Sequence, residues 1–415
     1  MNPNFQEVIN RFIARIESLK FSFPLIINTI NFNQQNAEKE FTNFTAPFLT
    51  KERSENQLEL TLQLPIDQLT PFHKIRKKAA IYSIFPQVIK GNFIISLISE
   101  FDIHLSSLIR TIFYIKPEIL NALDKQISFK QLLEFESIDA AKEYIIEKEI
   151  ESVLRESHTE HFKWLEHKTN LKTLRDFPAW STFIEITERR NLFVHCDGIV
   201  SSQYINVCKD NKVDLLNCQI GKKLEVTEKY FNNAYDCIFE VGVKLAHTVW
   251  RKIHPQSREI ADITLNNLCL KLISEEEYKL ANMLLDFAMS EPIFKQSSQQ
   301  IKLSFILNKA QILKWIGDEK QCSKLLMEQD WSACSDEFQL GKAVLLNKFE
   351  EACKIMKNIG SNSEKLSIIQ YREWPIFKEF RKTEQFLKVY QEIFQESFEL
   401  VTEMPSAIQT DKNQN

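Results

Sequence analysis

Glycine is the residue this chain largely does without, with 7 in 415 positions, where average usage of about 7% would supply roughly four times as many. Glycine provides the positive-φ turns of hairpins and the close backbone approach of phosphate loops. Its scarcity therefore favours helices over sheets. No GxGxxG or GxxxxGK[ST] string occurs, which excludes Rossmann dinucleotide chemistry and P-loop nucleotide chemistry. Eight cysteines, at 196, 208, 218, 237, 269, 322, 334 and 353, include no CxxC pair. Thiols scattered in this way point to reduced core residues in a cytoplasmic protein rather than to disulfides or a zinc knuckle. No uninterrupted apolar run approaches the roughly 20 residues of a membrane span, and MNPNFQEVINRF lacks a signal-peptide layout. The expectation is a cytoplasmic protein with no membrane partner. A net charge of -4 and a pI of about 6.2 give no global attraction to nucleic acid, so any such contact has to come from a local patch.

What the chain does contain is 44% hydrophobic and 26% charged residues, with 31 phenylalanines. That balance is globular, and the length calls for two or three domains. Residues 1–73 read as an N-terminal extension, the least regular part, with Asn/Gln clusters (NFNQQNAEKEF) and one alternating run, QLELTLQL at 57–64. The alternation places Leu58, Leu60, Leu62 and Leu64 on one face of a strand, which needs a hairpin partner or another domain. Residues 74–254 are strongly helical. Phe93, Ile94, Leu97, Phe101, Leu105 and Leu108 recur at three- and four-residue steps, and Pro86 and Gly91 mark a break or kink. AAKEYIIEKEIESVLRESHTEHFKWLEHK reads as a second long helix. PAWSTFIEITERRNLFVHCDG is a third, capped by Gly198, and a fourth follows Thr227 after a loop with possible short strands. The sequence thus predicts an all-α protein whose centre is a four-helix bundle.

Residues 255–400 change texture. EEEYKLANMLLDFA, ILKWIGDEKQCSKLL and AVLLNKFEEACKIM look like copies of one unit. Aligning Ala281, Cys322 and Ala352 gives steps of 41 and 30 residues, which bracket the 34-residue period of tetratricopeptide repeats. This region resembles a degenerate tetratricopeptide-like array, a surface suited to a protein partner or trigger. Residues 401–415 read as a disordered tail.

The candidate site is ERRNLFVHCDG at 188–198. Charged residues near a helix end are usually a solvated face, and the helix dipole favours a cation there by about 0.3–1 kcal/mol. Two features argue for more. Glu188, Asn191 and His195 fall in one line at steps of three and four. They stand beside an apolar flank of Phe183, Ile186, Phe193 and Val194, as in a lined cleft or an interface. Arg190 and His195, five apart, are separated by about 140° on a helix wheel, which favours a site shared between two chains. Among other polar groups, His158, His161 and His167 include an i,i+3 pair, but RESHTEHFKWLEHK is so charged that a solvated face is the better reading, and no metal motif is convincing. Cys196 reads as a buried thiol.

The string RNLFVH at 190–195 resembles the R-x4–6-H motif of the HEPN superfamily, where the residue after the arginine is commonly Asn. Its context resembles that superfamily too: the motif lies late in the third long helix of a bundle, and the likeness extends over about 74–254. What the resemblance implies is a metal-independent endoribonuclease, homodimeric through the motif-bearing face, that cleaves RNA through the ribose 2′-hydroxyl and needs no cofactor. Arg190 and His195 would carry the reaction with Asn191, with Glu188 and Arg189 in support, Arg189 as a secondary RNA contact. A histidine, with an ordinary pKa near 6.5, exchanges protons at neutral pH, and a guanidinium holds phosphate. A toxin-like or antiviral defence role is implied as well. The alternative is a non-catalytic RNA- or protein-binding scaffold or regulatory subunit of a defence or toxin–antitoxin system.

Overall fold

A computed structural model describes residues 4–398 apart from 55–56, 122–126, 216–217 and 364–365, and leaves out the side chains of 51–60 and 121. The tail read as disordered, 401–415, lies outside the described residues. Helix makes up 77% of the chain and strand 2%, the all-α composition that the shortage of glycine predicts. The chain divides after Pro255 into two compact units.

The first unit begins with α1, Phe5–Thr45. The segment expected to be irregular is a 41-residue helix. Asn4 caps it by accepting the Glu7 N–H at 2.8 Å. Phe5, Val8, Ile9, Phe12, Ile13 and Ile16 are buried along one face, a 3.6-residue rhythm that outweighs the downstream Asn/Gln clusters. Strands β1, Leu49–Ser54, and β2, Gln57–Leu62, form an antiparallel hairpin with Leu49 opposite Leu62. It takes in the first six residues of the alternating run. Helix α2, Leu69–Ile115, continues through Pro86 and Gly91, where a break or kink was expected, without a break. Proline inside a helix costs about 3 kcal/mol, but α1 packs along α2 and ion pairs tie them on both sides of Pro86: Lys78 to Glu40 at 2.6 Å, and Arg15 to Glu100. By length and composition α2 holds one stretch apolar enough to cross a membrane. Its residues Phe93, Ile94, Leu97, Phe101, Leu105 and Leu108 are buried in the bundle.

Short helices α3, Pro117–Asn121, and α4, Phe129–Leu132, lead to α5, Ile138–Leu154, and α6, His158–Thr169. The single long helix expected here is two, because Ser157 leaves the helix and caps the next one, accepting from the Glu160 N–H. Then come α7, Trp180–His195, α8, Ser202–Asp210, and α9, Glu228–Ile253. Where short strands were possible there is α8 and one isolated bridge, Ile199 to Lys223. Thr227 caps α9 as expected, accepting from the Tyr230 N–H at 3.1 Å. The central bundle is α1, α2, α7 and α9, with α5 against α2 and α6 against α7, so the N-terminal segment belongs to the bundle. Phenylalanine fills the core: Phe23 stacks on Phe231 at 4.0 Å, and Phe101 meets Phe183 at 4.9 Å.

The second unit contains α10, Arg258–Ser274, α11, Tyr278–Ala288, α12, Glu291–Phe294, α13, Gln299–Trp315, and α14, Glu319–Met327. It continues with α15, Asp336–Leu345, α16, Phe349–Ile359, α17, Ile368–Glu373, and α18, Glu384–Phe394. Helices α10/α11, α13/α14 and α15/α16 pack as pairs. All three turns are the same. Glu276, Gly317 and Asn347 are left-handed, and the next N–H closes on a carbonyl five residues back, at 2.8–2.9 Å. This is the hydrogen bond that ends a helix in a Schellman turn. Five positions beyond each left-handed residue stand Ala281, Cys322 and Ala352, at 0%, 2% and 0% exposure. The small residues aligned in sequence therefore share one structural place, although their spacing is irregular.

Gly242 on α9 leaves room for the Phe12 ring of α1. A Cβ there would lie 2.4 Å from the Phe12 ring, and that ring is locked by stacking on His104 at 4.2 Å. Burial pushes the His104 imidazole down to about 4, and its Nε2 donates to the Gly242 carbonyl at 3.1 Å. Gly242→Val is expected to destabilise the protein by about 1–3 kcal/mol, the usual cost of overpacking, as read from urea unfolding. An unchanged midpoint would show that Phe12 can move aside.

Candidate functional site

A cavity of about 390 Å³ opens among α2, α6, α7 and the start of α8. Asp102, His158, His161, Glu188, Arg190, Asn191, His195, Cys196 and Tyr204 are among its lining residues. The line of Glu188, Asn191 and His195 read from the sequence therefore does face one space.

Arg190 borders the same cavity as His195, although about 140° separates them on a helix wheel. His195 is the last residue of α7. Beyond it Asp197 and Gly198 are left-handed (φ 49° and 76°), and the N–H groups of Cys196 and Gly198 both return to the Leu192 carbonyl. A Cβ at Gly198 would lie 2.9 Å from the Phe193 ring, so the turn needs glycine for its φ and for space alike.

The polar groups are chained together. Arg190 Nη2 donates to Asp102 Oδ2 at 3.0 Å and Nη1 to Asn191 Oδ1 at 3.1 Å, while its buried Nε has no partner. Asn191 Nδ2 reaches Glu188 Oε1 at 3.5 Å, and burial raises the Glu188 carboxyl above the usual range. Glu188, read from the sequence as a supporting residue, thus holds Asn191. The His195 ring is exposed, with no hydrogen-bond partner among the described residues.

Arg189 does not line this cavity. Its Nε donates to Glu185 Oε1 at 2.7 Å, Nη1 reaches the Glu225 carbonyl at 3.4 Å, and the guanidinium lies 3.9 Å from the centre of the Tyr230 ring. Glu185 also accepts the hydroxyls of Tyr204 and Tyr230, each at 2.8 Å. This buried network ties α7 to α8 and α9, and the Arg189 guanidinium is engaged inside it. Phe193 packs over Gly91 and Gly198, leaving Val194 as the exposed apolar residue of that pair.

The sequence reading missed Asp102 and took His158 and His161 for a solvated face, whereas all three line the cavity. Because α6 starts afresh at Ser157, His158 and His161 turn inward with Phe162 and Leu165, all four buried. Spacing of 158, 161/162 and 165 was the available signal, hidden by the charges between. His167 stays exposed. His158 Nε2 lies 3.0 Å from Asp102 Oδ1. His161 is 1% exposed, neither ring nitrogen makes a hydrogen bond of good geometry, and burial pushes its pKa down to about 4. Cys196, expected to be buried, is exposed on the cavity lining.

Removing Glu185 would strand the Arg189 charge. Glu185→Ala is expected to cost about 3–5 kcal/mol in denaturant unfolding, as for breaking a buried pair by one partner. The double variant Glu185→Leu with Arg189→Met should recover part of that loss, the Tyr204 and Tyr230 hydroxyls remaining unpaired. Equal destabilisation by single and double variants would show that the pair is not the source.

Compared with known proteins, the chain matches no family model, and no curated protein or solved structure is significantly similar to it.

Proposed function

We propose that the cavity at the end of α7 is the active site of an endoribonuclease of the HEPN type, cleaving RNA through the ribose 2′-hydroxyl with no metal in the chemical step. The observation that carries the reading is the convergence of Arg190, Asn191 and His195 on one polar cavity. In the reaction the 2′-oxygen attacks phosphorus, the bond from phosphorus to the 5′-oxygen breaks, the 2′-hydroxyl gives up its proton, and the leaving oxygen gains one. An exposed imidazole at the cavity can accept or supply such a proton. A guanidinium held by Asp102 and Asn191 offers a fixed positive charge to the phosphate, whose transition state carries extra negative charge. Asn191 would orient Arg190 or bind a phosphate oxygen, and Glu188 would fix Asn191.

Both groups come from one chain, so a second copy against this face, which the resemblance implies, would bring two such cavities together without having to complete either. Exposed Val194 is a contact for that homodimer. The second unit, with its repeated helix pairs, is suited to bind a protein partner or trigger as tetratricopeptide-like arrays do, and a toxin-like or antiviral role completes the proposal. A non-catalytic RNA- or protein-binding role is the second reading. It is favoured by one observation, that Arg190 already engages Asp102 and Asn191.

His195→Ala should lower RNA cleavage by about 10²–10⁴-fold, the range for losing a general acid or base. Arg190→Ala should do comparable damage with the fold intact by circular dichroism. Wild-type rates from both variants would refute the assignment, and an inert wild type would favour the second reading. Mixing the two variants should leave activity at the level of either alone. Recovery on mixing would move the site to an interface between chains.

A further inference from the structure

The cavity wall holds a second cluster, which shares only Asp102 with the proposed cleavage. We propose that Asp102, His158 and His161 bind a divalent transition-metal ion of the zinc class. One ligand atom from each residue lies within 4.8 Å of the others. Two ligands at about 2.1 Å from a common ion are at most about 4.2 Å apart, so the site closes by small side-chain rotations. His158 and His161 stand three apart on one face of α6, and Asp102 comes from α2. Buried Phe162 and Leu165 anchor the histidine face.

The second observation is His161 itself. Its ring is 1% exposed and lines the cavity, and neither nitrogen makes a hydrogen bond of good geometry, although the Val153 and Glu156 backbone lies nearby. A buried polar group left unpaired costs about 1–3 kcal/mol, and a metal ion supplies what one of these nitrogens lacks. His158 Nε2 already points at Asp102 Oδ1. An ion entering between them displaces the proton on that nitrogen, either to Nδ1 by tautomerisation or to solvent.

Two imidazoles and one carboxylate select zinc, cobalt or nickel over magnesium or calcium, which prefer all-oxygen shells. The cavity leaves the remaining coordination positions open to water. Arg190 on the other oxygen of Asp102 opposes a cation, and Glu188 in the same cavity partly offsets it. The competing arrangement is a histidine pair packed only as core, with His158 5.7 Å from the Phe183 ring and 4.9 Å from His161. Ion binding requires nothing of the cleavage reading. Its consequence for cleavage rests on that reading, because an ion on Asp102 loosens that carboxylate's hold on Arg190.

The test uses the full chain, stripped with chelator and dialysed, then titrated with CoCl₂ and ZnCl₂. Cobalt should give visible d–d absorption that saturates at one ion per chain, is bleached by zinc and is insensitive to excess magnesium. His161→Gln and His158→Gln should abolish it, and Asp102→Asn should weaken it at least about tenfold, each with unchanged circular dichroism. Cys196→Ser and His167→Gln should retain it. No binding by the wild type, binding that survives in folded His161→Gln, or loss in Cys196→Ser would overturn the proposal. If a histidine variant does not fold, Asp102→Asn decides by the same criterion. The readout is metal occupancy, so it stands or falls separately from any measurement of RNA cleavage.

Discussion

Asp102 holds the Arg190 guanidinium with one carboxylate oxygen and faces the His158 ring with the other, each at 3.0 Å. Through this one side chain α2, α6 and α7 meet at the cavity. The Arg190–Asp102 pair is about a quarter exposed on each side (24% and 25%). At that depth a pair is held less by net attraction than by the penalty of separating it, since either charge left alone is poorly solvated. Its role here is placement. Arg190 on an unrestrained side chain could reach many positions. Tied to Asp102 and Asn191, it holds its charge at a fixed point on the cavity that His195 also borders.

That placement depends on helices far from the cavity. Asp102 is placed by the part of α2 whose Leu97, Phe101 and Leu105 are buried in the bundle, and α1 packs along that helix with ion pairs on both sides of Pro86. The turn after His195 depends on Gly198, and the register of α7 on the buried Arg189–Glu185–Tyr network. Two adjacent arginines thus do opposite work. Arg189 is satisfied inside the bundle, while Arg190 faces the cavity, because neighbours on a helix point about 100° apart.

Much of this could be read from the residues, for identifiable reasons. The all-α class followed from the missing glycines, and α7 and α9 from apolar periodicity with caps at Gly198 and Thr227. The common place of Ala281, Cys322 and Ala352 followed from their alignment. The cavity-facing line of Glu188, Asn191 and His195 came from helix geometry alone. Other features were hidden by tertiary effects. Helix α1 was obscured by polar Asn/Gln clusters on its outer side. Pro86 signals a break that packing overrides. The split at Ser157 depends on a single cap inside a charged run, and without it His158 and His161 seem solvated. The helix wheel sets Arg190 and His195 apart because it treats both as points on a cylinder, while both side chains border one cavity.

The central claim is that RNA is cut at this cavity by attack of the ribose 2′-hydroxyl. The most direct measurement is the end chemistry of products formed by the wild-type chain from a defined RNA, in the presence of chelator, beside a substrate with a 2′-deoxyribose at the scissile position. The account predicts 2′,3′-cyclic phosphate and 5′-hydroxyl ends from the RNA, and no cleavage at the deoxy position. Products with 5′-phosphate ends, or cleavage that proceeds past the deoxy substitution, would contradict it.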